Sequence, residues 1–145
     1  MRVSRKQVEE NKQTILTAAG RLFRERGFDA VTVTDIMKSA GLTHGGFYGY
    51  FKSKDDLIAQ TLAELKIESE AADNDVESLI ARYLSPEHRD NFASGCPLAA
   101  LAAETIRQSE SARDEMTARL QQQIAYLSEA INEKNPEKSR RAAIG

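Results

Sequence analysis

The feature that most constrains this chain is the spacing of its apolar residues, which recur at three and four positions with glycine and proline sparse and mostly between the periodic stretches. Ile15, Ala18, Ala19, Leu22 and Phe23 form one such stripe, predicting a helix from about Val8 to Arg26. Gly27 stands where a left-handed residue would stop it. No two-residue alternation persists anywhere, so strands are not expected. The chain is predicted to be all-α.

Local punctuation divides the rest. Thr32-Val33-Thr34-Asp35 has the form of a capping box with Asp in place of the usual Glu. The helix it opens turns Val33, Ile36, Met37 and Ala40 inward and ends at Gly41. A short helix spans about Thr43 to Tyr50. Ser53-Lys54-Asp55-Asp56 is a second cap, and its helix runs through Leu57, Ile58, Leu62 and Leu65 to about Ala71. Val76 to Leu84 predicts a short helix stopped by Ser85-Pro86, with a polar connection over 87–95. Cys96-Pro97 opens a helix reaching about Gln108, since proline is favoured in a first turn. The last long helix, about Ser111 to Lys134, has a stripe at Met116, Leu120, Ile124, Leu127 and Ile131, and Asn135-Pro136 ends it.

Composition excludes several classes. The chain opens polar and basic rather than with an apolar leader, and its longest clean apolar run, Pro97 to Ala103, is far too short for a bilayer. A cytoplasmic protein is expected, without a membrane partner. One cysteine, Cys96, rules out an internal disulfide and a Cys-rich zinc site, and no pattern calls for a metal or cofactor. The net charge of −2 conceals an asymmetry: residues 1–54 carry net +5 and residues 55–145 net −7. A basic head on an acidic body suggests a polyanion bound at one end.

The two helices joined by the glycine turn at Gly41 have the helix-turn-helix layout. In the second of them Leu42, Phe47 and Phe51 share one face, which packs on the preceding helices. His44, Gly45 and Tyr48 fall on another face that nothing in the head covers. That face suits a DNA groove: glycine permits close backbone approach, while Tyr and His offer apolar contact and hydrogen bonds.

The residues Ala18, Ala19, Leu22, Phe23, Gly27, Phe28, Val31, Thr32, Val33, Ile36, Ala40, Gly41, Leu42, Thr43, Gly45, Gly46, Phe47, Tyr48, Tyr50, Phe51, Ser53, Lys54 and Leu57 stand in the register of the tetracycline-repressor family of bacterial regulators. The segment resembles that family over some forty residues. The resemblance implies a three-helix DNA-binding head at 1–54 and a helical ligand-binding, regulatory domain at 55–145. It implies a homodimer that binds a palindromic double-stranded operator, most simply as a repressor released by a small-molecule inducer or an electrophile or oxidant. Position by position, His44, Gly45 and Tyr48 fall on base-reading places, and Thr34, Thr43, Tyr50 and Lys54 on phosphate-contacting ones. Tyr50 stands where the family more often has histidine.

For the regulatory part, the amphipathic helices and the resemblance together predict an apolar pocket with Tyr83, Phe92, Leu98, Ile106 and Tyr126 as walls. Cys96 has two readings. It is a small residue packed under its helix, or it is a thiolate stabilised by the amides of a helix start and hence a sensor of electrophiles. The run Asn91-Phe-Ala-Ser-Gly-Cys96-Pro-Leu-Ala-Ala is similar to a segment in a subset of the family, some of whose members sense reactive species through cysteine. Two other functions compete: a helical scaffold without DNA binding, and a cysteine enzyme pairing Cys96 with His88 or His44. The scaffold leaves the basic head unexplained, and the enzyme lacks a third orienting group.

Members of the family usually continue into two further long helices that supply most of the dimer interface. The sequence ends at Lys138-Ser-Arg-Arg-Ala-Ala-Ile-Gly145, where the first of these would begin. The regulatory domain is therefore expected to be short at its C-terminus, and the chain by itself to dimerise weakly or not at all.

Overall fold

The computed structural model describes residues 3–65, 76–131 and 136–145, and every regular element among them is helical. The first is α1 (Arg5–Arg26). It begins at Arg5 rather than Val8 because Ser4 caps it, the hydroxyl accepting the Gln7 amide at 3.1 Å. It stops at Gly27, whose φ of +83° a side chain would strain and whose amide donates to the Phe23 carbonyl at 2.7 Å.

The box at Thr32 opens α2 (Val33–Ser39). Thr32 Oγ1 accepts the Asp35 amide at 3.1 Å, and Asp35 Oδ2 accepts the Thr32 amide at 3.0 Å. At the other end Gly41, φ +72°, donates to Lys38 O at 3.1 Å and Leu42 donates to Met37 O at 2.9 Å. These are the two reverse bonds of a Schellman stop. The next segment, His44–Gly49, is a 3₁₀ helix. Gly45, Gly46 and Gly49 explain the tighter winding, since three glycines in six residues give an α-helix little propensity.

Ser53 caps α3 (Lys54–Glu64), its hydroxyl accepting the Asp56 amide at 3.1 Å. The expected continuation to Ala71 falls outside the described residues. There follow α4 (Val76–Tyr83), α5 (Pro86–Asp90), a 3₁₀ turn at Phe92–Ser94, α6 (Pro97–Thr105), α7 (Glu110–Ile131) and α8 (Pro136–Ile144). The stretch expected as a polar connection thus contains α5. Ser85-Pro86 is the reason: the pair stops one helix and starts the next, Ser85 Oγ accepting the His88 amide at 3.1 Å with Pro86 in the first turn. The last helix, α8, begins at Pro136; the expected last turn of α7, to Lys134, falls outside the described residues.

One core joins head and body. Ile15, Ala19, Phe23, Phe28, Val31, Ile36, Phe47, Leu57, Ile58 and Leu62 pack with Leu101, Ala112 and Met116 from α6 and α7. Apolar packing is therefore continuous across residue 54. Arg119 of α7 adds polar ties to the end of α3, donating to the carbonyls of Ala63 and Leu65. Of the α7 stripe, Met116 is buried, Leu120 is exposed, and Ile124, Leu127 and Ile131 are half-buried, with α8 packed along the helix.

The caps give a direct test. Thr32→Ala should destabilise the protein by about 1 kcal/mol (range roughly 0.5–2) in urea unfolding at neutral pH. The Thr32 amide, and then its hydroxyl, hold the Asp35 carboxyl below its ordinary value. Gln60 and the Lys52 amide do the same for Asp56. Groups depressed in the folded state contribute stability above their unfolded value, near pH 4. That contribution is lost as pH falls through the lowered folded values. Stability measured from pH 7 to pH 2 should fall first in that window, and a flat profile there would contradict the hydrogen bonds given to both carboxylates.

Candidate nucleic-acid interface

The head presents two neighbouring residues in opposite senses. Phe47 is fully buried and stacks on Phe51 with ring centroids 5.6 Å apart. Tyr48, next in the chain, is 71 % exposed, its ring edge-on to Phe47 at 5.2 Å. His44 and Gly45 are exposed beside it, so the face expected to be uncovered is uncovered. A Cβ placed on Gly45 would meet no atom within 4 Å. Packing inside this chain therefore does not demand glycine there.

The flanking polar groups have fixed positions. Thr34 Oγ1 and His44 Nδ1 share a hydrogen bond of 2.7 Å whose direction follows the ring tautomer, tying the start of α2 to the start of the 3₁₀ segment. Tyr50 is half-buried, and its phenol oxygen accepts from Asn11 Nδ2 of α1 at 3.0 Å, a bond that leaves its own proton for another acceptor among the described residues or a ligand. Thr43 is exposed and makes no side-chain cap. Lys54 occupies the first position of α3, half-buried, where the amides of the helix start add to its charge. Sequence reasoning passed over Asn11, which is unremarkable until Tyr50 is placed against it.

In the body, a cavity of about 330 Å³ has apolar walls from α4 (Leu79, Tyr83) and Leu84 just after it, the start of α6 (Cys96, Leu98) and α7 (Leu127), with Gln123 also lining it. Tyr83, Cys96 and Leu98 stand there as expected. Three other candidates do not. Phe92 lies 64 % exposed at a second cavity of about 550 Å³, beside Arg24, Gly27, His88 and Glu104. Ile106 is 72 % exposed and lines neither, because the inward face of α6 is the Leu101–Thr105 row and Ile106 lies one position round from it. Tyr126 lines neither cavity; its buried hydroxyl has no hydrogen-bond partner among the described residues.

Cys96 lines both cavities and is the capping position of α6. Its amide donates to His88 Nε2 at 3.2 Å, and the His88 ring lies against Tyr83 at 4.5 Å. That ring nitrogen is thus occupied as an acceptor by a backbone amide, the role a general base for Cys96 would need. Arg24, sequentially one of a cluster of surface-type charges, is half-buried: Nε donates to Gly20 O at 3.0 Å and Nη1 to Gly95 O at 3.1 Å.

A glycine Schellman turn between α2 and a short helical segment with an exposed polar-aromatic face, set on α1 and followed by an all-helical body, defines a helix-turn-helix protein. Known proteins narrow the class. Residues 15–61 match the profile described as bacterial regulatory proteins, tetR family. The chain is 34% identical over 77 residues to the HTH-type transcriptional regulator AcrR of Shigella flexneri, covering 48% of this chain and 36% of AcrR. It is 36% identical over 58 residues to the HTH-type transcriptional repressor KstR2 of Mycolicibacterium smegmatis, covering 40% of this chain and 28% of KstR2. It thus spans only about a third of these relatives.

Solved structures resemble it over a longer stretch. Reduced NemR of E. coli superposes with a TM-score of 0.72 at 22% identity, covering 92% of this chain and 80% of NemR. A TetR-family transcriptional regulator of Agrobacterium tumefaciens gives 0.73 at 20%, covering 94% and 81%. At such identities the likeness is one of fold. The helix-turn-helix segment, residues 15–61, is thus similar to that of the tetR family of bacterial regulatory proteins, and the whole chain shares the fold of its solved neighbours.

Proposed function

We propose that this protein is a sequence-specific DNA-binding transcriptional regulator, acting as a repressor. The 3₁₀ segment enters the major groove of double-stranded DNA. Tyr48, His44 and Gly45 meet base edges, and Thr34, Thr43, Tyr50 and Lys54 meet phosphates. The observation that carries this reading is the exposed Tyr48–Gly45 face, supported from beneath by buried Phe47 and open at Gly45, where a Cβ would meet no atom of the chain within 4 Å. A buried support under exposed recognition groups is what preorganised binding needs. The reading places the DNA-binding part at 1–54 and a regulatory part at 55–145, makes the functional unit a homodimer on a palindromic operator, and places it with the DNA in the cytoplasm. No helix among the described residues is long and apolar enough to cross a membrane.

The same reading assigns the apolar cavity at Tyr83, Cys96 and Leu98 to a small apolar inducer. Its walls come from three helices, and one of them, α6, also packs on α1, so occupancy has a route to the head.

Selection of bound duplexes from a random DNA pool tests the proposal. It should enrich a palindrome whose half-sites repeat at about one helical turn. Binding should weaken with salt, with a log–log slope of about −0.9 per phosphate neutralised. Lys54→Ala should weaken every sequence alike and flatten that slope by about one contact. A chain that enriches nothing and fails to bind mixed duplex at low salt is a helical scaffold instead.

A further inference from the structure

We infer that Arg24 and Glu104 form a two-point clamp that sets the angle of the DNA-reading head on α6, and so act as positioning residues for operator binding; this rests on the DNA-binding reading above. Both contacts leave the last turn of α1 and its exit. Arg24 reaches across 71 residues of sequence to the Gly95 carbonyl just before α6. Its second bond, to Gly20 O at 3.0 Å, holds the guanidinium against its own helix. At the other end of α6, Glu104 Oε2 accepts the amide proton of Phe28 at 3.1 Å, across 76 residues. Gly95 and Glu104 are separated by about 13 Å along the helix, at roughly 1.5 Å per residue.

The Glu104 contact breaks a local rule. A carboxylate beside the C-terminal end of a helix opposes the helix dipole. Here it sits over the end of α1, and a Cβ on Gly27 would come within 2.6 Å and 2.7 Å of its two oxygens. Gly27 therefore leaves room for the carboxylate as well as supplying the left-handed stop, and the Phe28 amide supplies the compensating donor. A local conflict that persists because a distant residue resolves it is a mark of a functional position.

The geometry explains what the clamp adds to the core. Burial of Leu101 and Met116 holds head and body together but has no direction. Hydrogen bonds are directional, and a single one would leave a hinge about itself. Two of them, one at each end of α6, remove that rotation. The second cavity lies between them, with Arg24, Gly27 and Glu104 all in its wall. A head that reads one half-site by itself tolerates a change of angle, whereas two heads that must match one fixed spacing do not.

The test compares three duplexes: the one enriched by wild-type protein, the same with one half-site scrambled, and a mixed sequence. The proteins are wild type, Glu104→Ala, Glu104→Gln and Arg24→Met, each checked for an intact thermal transition. Glu104→Ala should lose about tenfold of its preference for the two-half-site duplex over the single half-site, with single-site and mixed-sequence affinities unchanged. Glu104→Gln keeps an oxygen to accept the Phe28 amide and should keep the preference. Arg24→Met retains the apolar stem and tests the other contact independently should Glu104→Ala fail to fold. Preference retained in both Glu104→Ala and Arg24→Met, or affinity lost equally on all three duplexes, overturns the clamp while leaving the DNA-binding reading intact. Failure of wild-type protein to enrich any duplex sinks both.

Discussion

Phe47→Ala is expected to unfold the head. The ring is fully buried, stacked on Phe51 and touched edge-on by Tyr48, and it belongs to the one core that joins α1, α2, α3, α6 and α7. Truncating a buried phenylalanine removes its transfer energy and leaves a cavity, together about 3–5 kcal/mol. That is comparable to a large part of the whole stability of a small domain, roughly 5–15 kcal/mol. The 3₁₀ segment has little propensity of its own, with three glycines, so packing beneath Phe47 is what holds it. Urea unfolding should show a large drop in midpoint, and DNA binding should disappear with the fold. A change below about 1 kcal/mol would mean that this side chain is not the support described.

Tyr48→Ala, one residue further, should do the opposite. The side chain is mostly in solvent, so its removal costs only its edge-on contact with Phe47, about 1 kcal/mol or less. The folded head persists, but a group that meets base edges is gone. Loss of a good base contact is worth about 1–3 kcal/mol, which is roughly fivefold to 150-fold in specific affinity. Affinity for mixed-sequence DNA, carried by phosphate contacts, should barely change. Tyr48→Phe separates ring from hydroxyl: retained affinity assigns the effect to apolar contact, lost affinity to the hydrogen bond. Titration of the enriched duplex against both variants reads this directly. Unchanged specific affinity in Tyr48→Ala would remove the 3₁₀ segment from the groove.

Much of the fold was legible because its signals are short-range. The Thr32–Asp35 box, the stops at Gly27 and Gly41 and the Ser53 cap each involve residues within five positions, and each appears with its expected bonds. The inward Phe47 and outward Tyr48 follow from which face of a short helix the neighbouring apolar residues occupy. The helix at 86–90 was missed because Ser85-Pro86 signals an end and a beginning with the same two residues. The sequence predicts an ordinary helix at His44–Gly49, but the glycines that permit close groove approach also decide its tighter winding.

The amino-acid sequence by itself determined where helices start and stop and which face of the head stays uncovered, because capping, glycine stops and the three-and-four period are interactions within one turn. Only the tertiary structure decided which distant groups meet. Arg24 has the pattern of a surface charge, yet it bonds to Gly95 O; Glu104 stands near the end of its helix with nothing to mark it, yet it holds the Phe28 amide. Tyr83 and Leu98 share a cavity while Phe92, Ile106 and Tyr126 lie elsewhere, since the angle between helices, not the spacing along any one of them, sets which walls converge. Contacts across some seventy residues leave no period in the chain, and they exist only once packing has fixed the helices against one another.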